Sequence, residues 1–267
     1  MSKKGKTGNN LKLAGVFILL VFGLILLSIF FKIIFLIKDS KFDGSHKFNV
    51  GFLEENKTRV VSFSPQNKSM SILKIDRNID EDNLSQALLV PIDGLIKVQN
   101  NNPNGKTISS VLLGSILPFQ NSLKNLTVID ALRLFLFSRS VSKSSVYERE
   151  LSQNFNEREK STIITLSFTD PTIYKENKSI EIKNATSVSG LGTRLATLIT
   201  NIGGNVILVS NSEKYDNKSR IIYSGEDSYT VNKLSRFLGF PKQKADIKGI
   251  SDVIIIIGAD KIKSLNF

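Results

Sequence analysis

This chain offers few residues for chemistry. It has no cysteine and a single histidine, His46. Thiol nucleophiles, thiolate metal sites and disulfides are therefore excluded, and no set of imidazoles exists for a triad or a zinc site. Ser71 and Lys74 stand at the serine–lysine acyl-transfer spacing, which works where a helix start puts both side chains on one face. Ser69 to Ile75 alternates like a strand instead, and strand residues three apart point to opposite faces. Gly105-Lys106-Thr107 looks like the end of a phosphate loop, yet Asn100 occupies the place of its first glycine, so the segment reads as an Asn-rich turn. Gly190-Leu191-Gly192 opens a helix behind a strand, but Leu195 replaces the third glycine of a dinucleotide fingerprint and the turn is too long. Those glycines read as helix entry and N-cap. Asp76, Asp80, Glu81 and Asp82 fit no calcium loop and read as solvated charge. The expectation is no catalytic residue, no metal site and no cofactor.

The elements that would position any site begin with an apolar run, Leu13 to Ile37, interrupted only by Ser28 and Lys32. A spanning helix needs roughly 20 apolar residues, and Lys32 can snorkel to an interface. Lys3, Lys4, Lys6 and Lys12 precede the run without an acid, so the N-terminus is expected in the cytoplasm and the bulk of the chain outside. A cleaved signal has a shorter core and a small-residue cleavage site; Ser28-Ile-Phe-Phe-Lys32 offers none. The run reads as an uncleaved signal-anchor in the cell membrane.

The net charge is +12, and half of it lies in the first 41 residues, where topology explains it. The rest is scattered lysine without a nucleic-acid recognition motif, so nucleic acid is not an expected partner. A basic ectodomain suits anionic envelope polymers. The organisation reads as a basic tail (1–12), a span (13–37), a polar tether (38–47), a first α/β region (48–175) and a small C-terminal α/β domain (178–265).

In the first region, Arg59 to Ser64 and Ser69 to Ile75 flank Pro65-Gln-Asn-Lys68 as a hairpin. Thr107 to Leu117 is helical by period. Thr127 with Asp130 forms a capping box for a helix reaching Ser138. Tyr147 to Lys160 is charge-dense, a solvated helix or connector, and Ser161 to Phe168 reads as a strand ended by Asp170-Pro171. From Ser179 short strands alternate with helices: strand 180–184, helix 191–201, strand 205–210, strand 220–223, helix 228–238 and the wholly apolar strand 252–257. That alternation defines an α/β domain.

Ser179-Ile-Glu-Ile-Lys-Asn-Ala-Thr186, Ser189-Gly-Leu-Gly-Thr-Arg-Leu-Ala196, Asn201-Ile-Gly-Gly-Asn-Val206 and Val253-Ile-Ile-Ile-Ile-Gly-Ala-Asp260 together resemble the C-terminal domain of the LytR–CpsA–Psr family. Asn184, Gly190, Gly192, Gly203, Gly258 and Asp260 carry the signature. The preceding region is similar to a degenerate form of that family's catalytic domain. The resemblance places Lys74-Ile75-Asp76-Arg77-Asn78 where intact members have a Ser-Ile-Pro-Arg-Asp run handling pyrophosphate and magnesium. Arg77 matches and would be a residual phosphate contact; Asp76 replaces the proline and Asn78 the acid. Intact members transfer anionic glycopolymer from a lipid pyrophosphate to peptidoglycan, and phosphoryl transfer depends on charge neutralisation. The resemblance therefore implies a non-catalytic envelope protein that binds peptidoglycan, anionic wall polymer or an envelope protein partner. A divergent phosphotransferase is the alternative.

Overall fold

The computed structural model describes residues 7–55, 57–99, 107–117, 121–152 and 155–262. The Asn100–Gly105 turn and Lys3, Lys4 and Lys6 lie outside them. The apolar run is one continuous helix, α1 (Thr7–Lys38). Its stretch Ala14–Lys32 is long and apolar enough to cross a membrane, and none of it is buried against the protein, so it is not a core helix.

Beyond α1 the chain is α/β, built on two sheets. The first has six strands: β1 (Phe48–Leu53), β2 (Thr58–Ser64), β3 (Ser69–Ile75), β4 (Gly94–Val98), β5 (Asn121–Lys124) and β6 (Val146–Leu151), ordered β5-β4-β1-β2-β3-β6. The expected β2–β3 hairpin is present, with Lys68 in the left-handed region closing its turn. Strand alternation sorts the apolar side chains onto both faces. Val50, Val61 and Ile72 pack with α3 (Ile108–Ile116) and α4 (Val128–Ser140) on one side. Val60, Leu73 and Leu95 pack with α2 (Leu84–Leu88) and α5 (Glu157–Phe168) on the other.

Two expectations for this region are corrected. Ser161 to Phe168 is the last two thirds of α5, not a strand. An Asn156–Glu159 capping box starts that helix, and Ile164, Ser167 and Phe168 are buried at helical spacing, which outweighs the strand preference of Thr162-Ile-Ile-Thr165. The charge-dense stretch before it contains β6, held by parallel pairing to β3.

Helix α5 leads through Asp170, which caps α6 (Pro171–Glu176), into the second sheet. That sheet comprises β7 (Ser179–Asn184), β8 (Asn205–Asn211), β9 (Arg220–Tyr223), β10 (Lys242–Lys244) and β11 (Val253–Ile257), ordered β10-β9-β11-β7-β8. Helices α7 (Leu191–Asn201) and α8 (Tyr229–Leu238) cover one face together with Ile173 of α6. The two sheets have separate hydrophobic cores.

Residues 38–47, the polar tether, are hydrogen-bonded to the protein. One carboxylate oxygen of the wholly buried Asp130 accepts hydrogen bonds from the Ser40 hydroxyl (2.7 Å), the Lys41 amide (2.8 Å) and the Phe42 amide (2.9 Å). Arg133 donates to the Ser40 hydroxyl and the Phe42 carbonyl, and the Phe42 ring sits in the first core. Lys47 is also buried, its ammonium donating to the carbonyls of Ser167 (3.1 Å) and Thr169 (2.8 Å). The His46 ring stacks on Tyr229 of α8 at 4.3 Å, and Lys233 of α8 pairs with Asp93 at 2.9 Å. The connector thus ties α1, the first sheet and the second unit together.

Candidate functional site

The strand registers define a surface that the sequence did not reveal. Val253, Ile255 and Ile257 of β11 face the helices and are buried; Ile254 and Ile256 alternate onto the opposite face. There Ile254 lies between Ile222 and Glu181, with Leu208 beyond Glu181. Ile256 lies between Arg220 and Lys183, with Ser210 beyond. A wholly apolar strand usually signals burial on both faces. Among the described residues, however, every helix in this unit's core cluster packs on the first face, so the second stays open. At its edge a bulge opposite Ile180/Glu181 shifts the β8 register, and Ile207, Leu208 and Val209 are all exposed. The face combines a partly exposed isoleucine row with a Glu181–Lys183 pair at 3.2 Å.

The residues that carry the family resemblance shape the turns at the ends of these strands. The Asn184 amide donates to the Val188 carbonyl at 2.8 Å, and its oxygen accepts from the Thr186 amide and hydroxyl. Asp260 accepts from the Ser219 amide and hydroxyl at 2.9 and 2.8 Å. A Cβ on Gly258 would stand 2.5 Å from the Lys218 carbonyl carbon, so this backbone crossing admits only glycine. Gly190 caps α7 in the left-handed region, and Gly192 lets α7 approach Val209. Asn184, Gly190 and Gly258 thus lie at the carboxyl ends of β7 and β11. Gly203, with φ +91° against Thr169, lies before β8 at the other end.

Arg77 stands elsewhere. It is exposed on a cavity of 380 Å³ at the seam between the two units, lined also by Asp76, Glu157, Lys160, Thr197 and Asn201. It has no ion pair or hydrogen bond among the described residues, while Lys160 pairs with Glu157 at 2.8 Å. Two cations and two carboxylates cancel there. Asp76 also lies beside Glu150, and this neighbouring carboxyl holds the Glu150 carboxyl above its usual range. The Asp76–Glu150 pair was invisible in the sequence, where the two are far apart. A larger hollow of 630 Å³ on the α3–α4 side gathers Arg59, Lys74, Arg139 and Lys143 around Met70 and Ile72. Lys74 pairs with Glu148 and Arg59 with Glu54.

Of the acids Asp80, Glu81 and Asp82, the last two pair with lysines. Hydrogen bonds from Lys97 and Lys124 hold the Glu81 carboxyl below its usual range, and Lys124 reaches Asp82 at 3.0 Å. No group of three or more potential metal-ligating His, Cys, Asp or Glu side chains occurs among the described residues. Ser71 and Lys74 lie on β3, the strand setting that separates their side chains.

The second sheet with α7 and α8 is a two-layer α/β unit with an open sheet face, and the first α/β unit and its bound connector lie between it and one long apolar helix, a candidate membrane anchor. Residues 177–260 match the family described as LytR cell envelope-related transcriptional attenuator, LytR_C, and this unit is a LytR_C domain. No curated protein matches the chain. Among solved structures, the Lin1025 protein from Listeria innocua is 13% identical, with 70% of this chain and 89% of that one covered, at a TM-score of 0.19. The Lmo1026 protein from Listeria monocytogenes is 10% identical, with 82% and 94% covered, at 0.18.

Proposed function

We propose that this protein is a single-span envelope protein. Its N-terminus lies in the cytoplasm, and its LytR_C domain holds a cell-wall polymer or an envelope protein on its open sheet face without catalysing a reaction. The open face, with Ile222, Ile254, Ile256 and Leu208 on one side of the sheet, carries this reading. The basic residues before α1 and the absence of acids among them favour the orientation. The cancelled charges around Arg77 argue against neutralising a pyrophosphate there.

The test is co-sedimentation of the full chain, in detergent micelles, with purified sacculi across a salt series, beside a Leu208→Ser/Ile254→Thr variant. Binding that survives salt beyond the screening of exposed charges and weakens in the variant identifies wall polymer as the occupant. Without such binding, a photo-crosslinker at position 208 in cells should give one discrete protein adduct. Absence of both overturns the reading. The phosphotransferase alternative draws on Arg77 and on the cations of the 630 Å³ hollow. It requires that a polyprenyl-pyrophosphate analogue with magnesium raise the melting temperature.

A further inference from the structure

The α3–α4 layer has its own unpartnered face. Both helices pack on one side of the first sheet through Ile108, Val111, Leu112 and Leu134. On their outer side, Leu113 and Leu117 of α3 and its cap form one i,i+4 pair, and Val128, Leu132 and Leu136 of α4 form an i,i+4 row. These five side chains are between 38% and 58% exposed. The layer has no exposed acid: Asp130, the only carboxylate in the two helices, is buried, whereas Arg139 is exposed and Arg133 half-buried.

The connector determines what lies nearby. Ala14–Lys32 spans about 28 Å at 1.5 Å per residue, close to the roughly 30 Å hydrocarbon core of a bilayer. The six further residues to Lys38 add about 9 Å, little more than the headgroup layer of roughly 5–7 Å on each side. Two residues later the chain is hydrogen-bonded to Asp130 in the first turn of α4, and the end of α1 touches α4. If α1 spans the membrane, α4 cannot stand away from the leaflet from which α1 emerges.

We infer that the outer α3–α4 face rests on the bilayer. Leu113, Leu117, Val128, Leu132 and Leu136 enter the headgroup–acyl boundary, and Arg139 meets anionic lipid headgroups; at the connector Lys38 and Lys41 are exposed with Asp39 between them, leaving one net positive charge. An apolar row with an excess of cations at its borders has this interfacial character. This inference rests on α1 as anchor but is independent of what the LytR_C face binds. It would fix the orientation of that face relative to the membrane.

Because the chain lacks cysteine, single cysteines can be placed cleanly for nitroxide labelling in the full chain. We would compare Leu132→Cys, Leu136→Cys and Leu113→Cys with Leu24→Cys in the anchor and Tyr215→Cys, which is 79% exposed in the LytR_C domain. The protein would be in nanodiscs of phosphatidylethanolamine and phosphatidylglycerol. Labels at 113, 132 and 136 should resemble the anchor label, colliding more with oxygen than with a water-soluble nickel chelate; the label at 215 should show the reverse. Three results overturn the inference. Nickel access at 132 and 136 equal to that at 215 means a solvated face. Shielding from both reagents means a protein covers it, a second copy if the shielding depends on protein concentration. Water-like access at position 24 removes the anchor on which the inference stands.

Discussion

Replacing Asp130 should loosen α1 and the connector from α4 and lower stability together. Its two carboxylate oxygens have divided duties. Oδ1 accepts the three hydrogen bonds of the connector, and Oδ2 accepts from the Thr127 amide and hydroxyl at 2.8 and 2.9 Å, completing the capping box of α4. Burial alone would raise the Asp130 pKa, but hydrogen bonds from Phe42, Thr127 and Ser40 outweigh it and hold the carboxyl below its usual range. Asp130→Ala leaves these donors without their acceptor; at about 1–3 kcal/mol for each buried group left unsatisfied, with the part-buried ones recovered by water, the loss should be on the order of 3–5 kcal/mol. Asp130→Asn keeps only one oxygen, so it serves the connector or the cap but not both, and should cost about 2 kcal/mol.

For a domain of this size the alanine variant should melt on the order of 10 °C lower, and trypsin should cleave at Lys41 faster. The pH dependence has a defined sign. A carboxyl whose folded pKa lies below its unfolded value stabilises the fold above about pH 4, and this contribution is lost as pH falls through the folded pKa. Asp130→Asn should lack that acid-sensitive component. The measurements are thermal melts of the full chain in detergent across pH, with timed proteolysis. An Asp130→Ala protein that melts within about 1 kcal/mol of wild type and protects Lys41 equally well would refute the division of duties.

Three further outcomes are expected. Burial pushes the Lys47 ammonium down from 10.5 to about 8, so between these values the unfolded chain binds more protons and stability should rise with pH by up to about 3 kcal/mol. Urea titrations should show this rise in wild type and not in Lys47→Met; above about pH 10, burial and Asp170, which keep the Tyr229 hydroxyl protonated in the fold, should reverse the trend. Gly258→Ala should cost about 2 kcal/mol by overpacking, because its Cβ meets the Lys218 and Ser219 backbone, and an unchanged urea midpoint would reject the close crossing. Arg77→Ala, at an exposed and unpaired position, should alter stability by less than about 0.5 kcal/mol; a larger loss by the same titration would assign it a structural role.

Local signals made much of this protein legible. The apolar length of α1, the Thr127–Asp130 capping box and the α7 boundaries Leu191–Asn201 depend on residues within one or two turns, and the structure reproduces them. The LytR_C domain was legible for a related reason: Gly190, Gly203, Gly258 and Asn184 answer backbone demands at turns in its alternation of strands and helices. Elements set by distant partners were not. Ser161 to Phe168 has strand-like composition but becomes helical because its apolar residues bury against the first sheet. Polar composition marks residues 38–47 as a tether but does not show what holds it, because the acceptor lies about 90 residues away in sequence. Five apolar residues in a row, Val253 to Ile257, say that a strand is apolar but not how many of its faces are covered. Only the packing of α7 and α8 on a single side, through pairings across the whole domain, leaves Ile254 and Ile256 on an open surface.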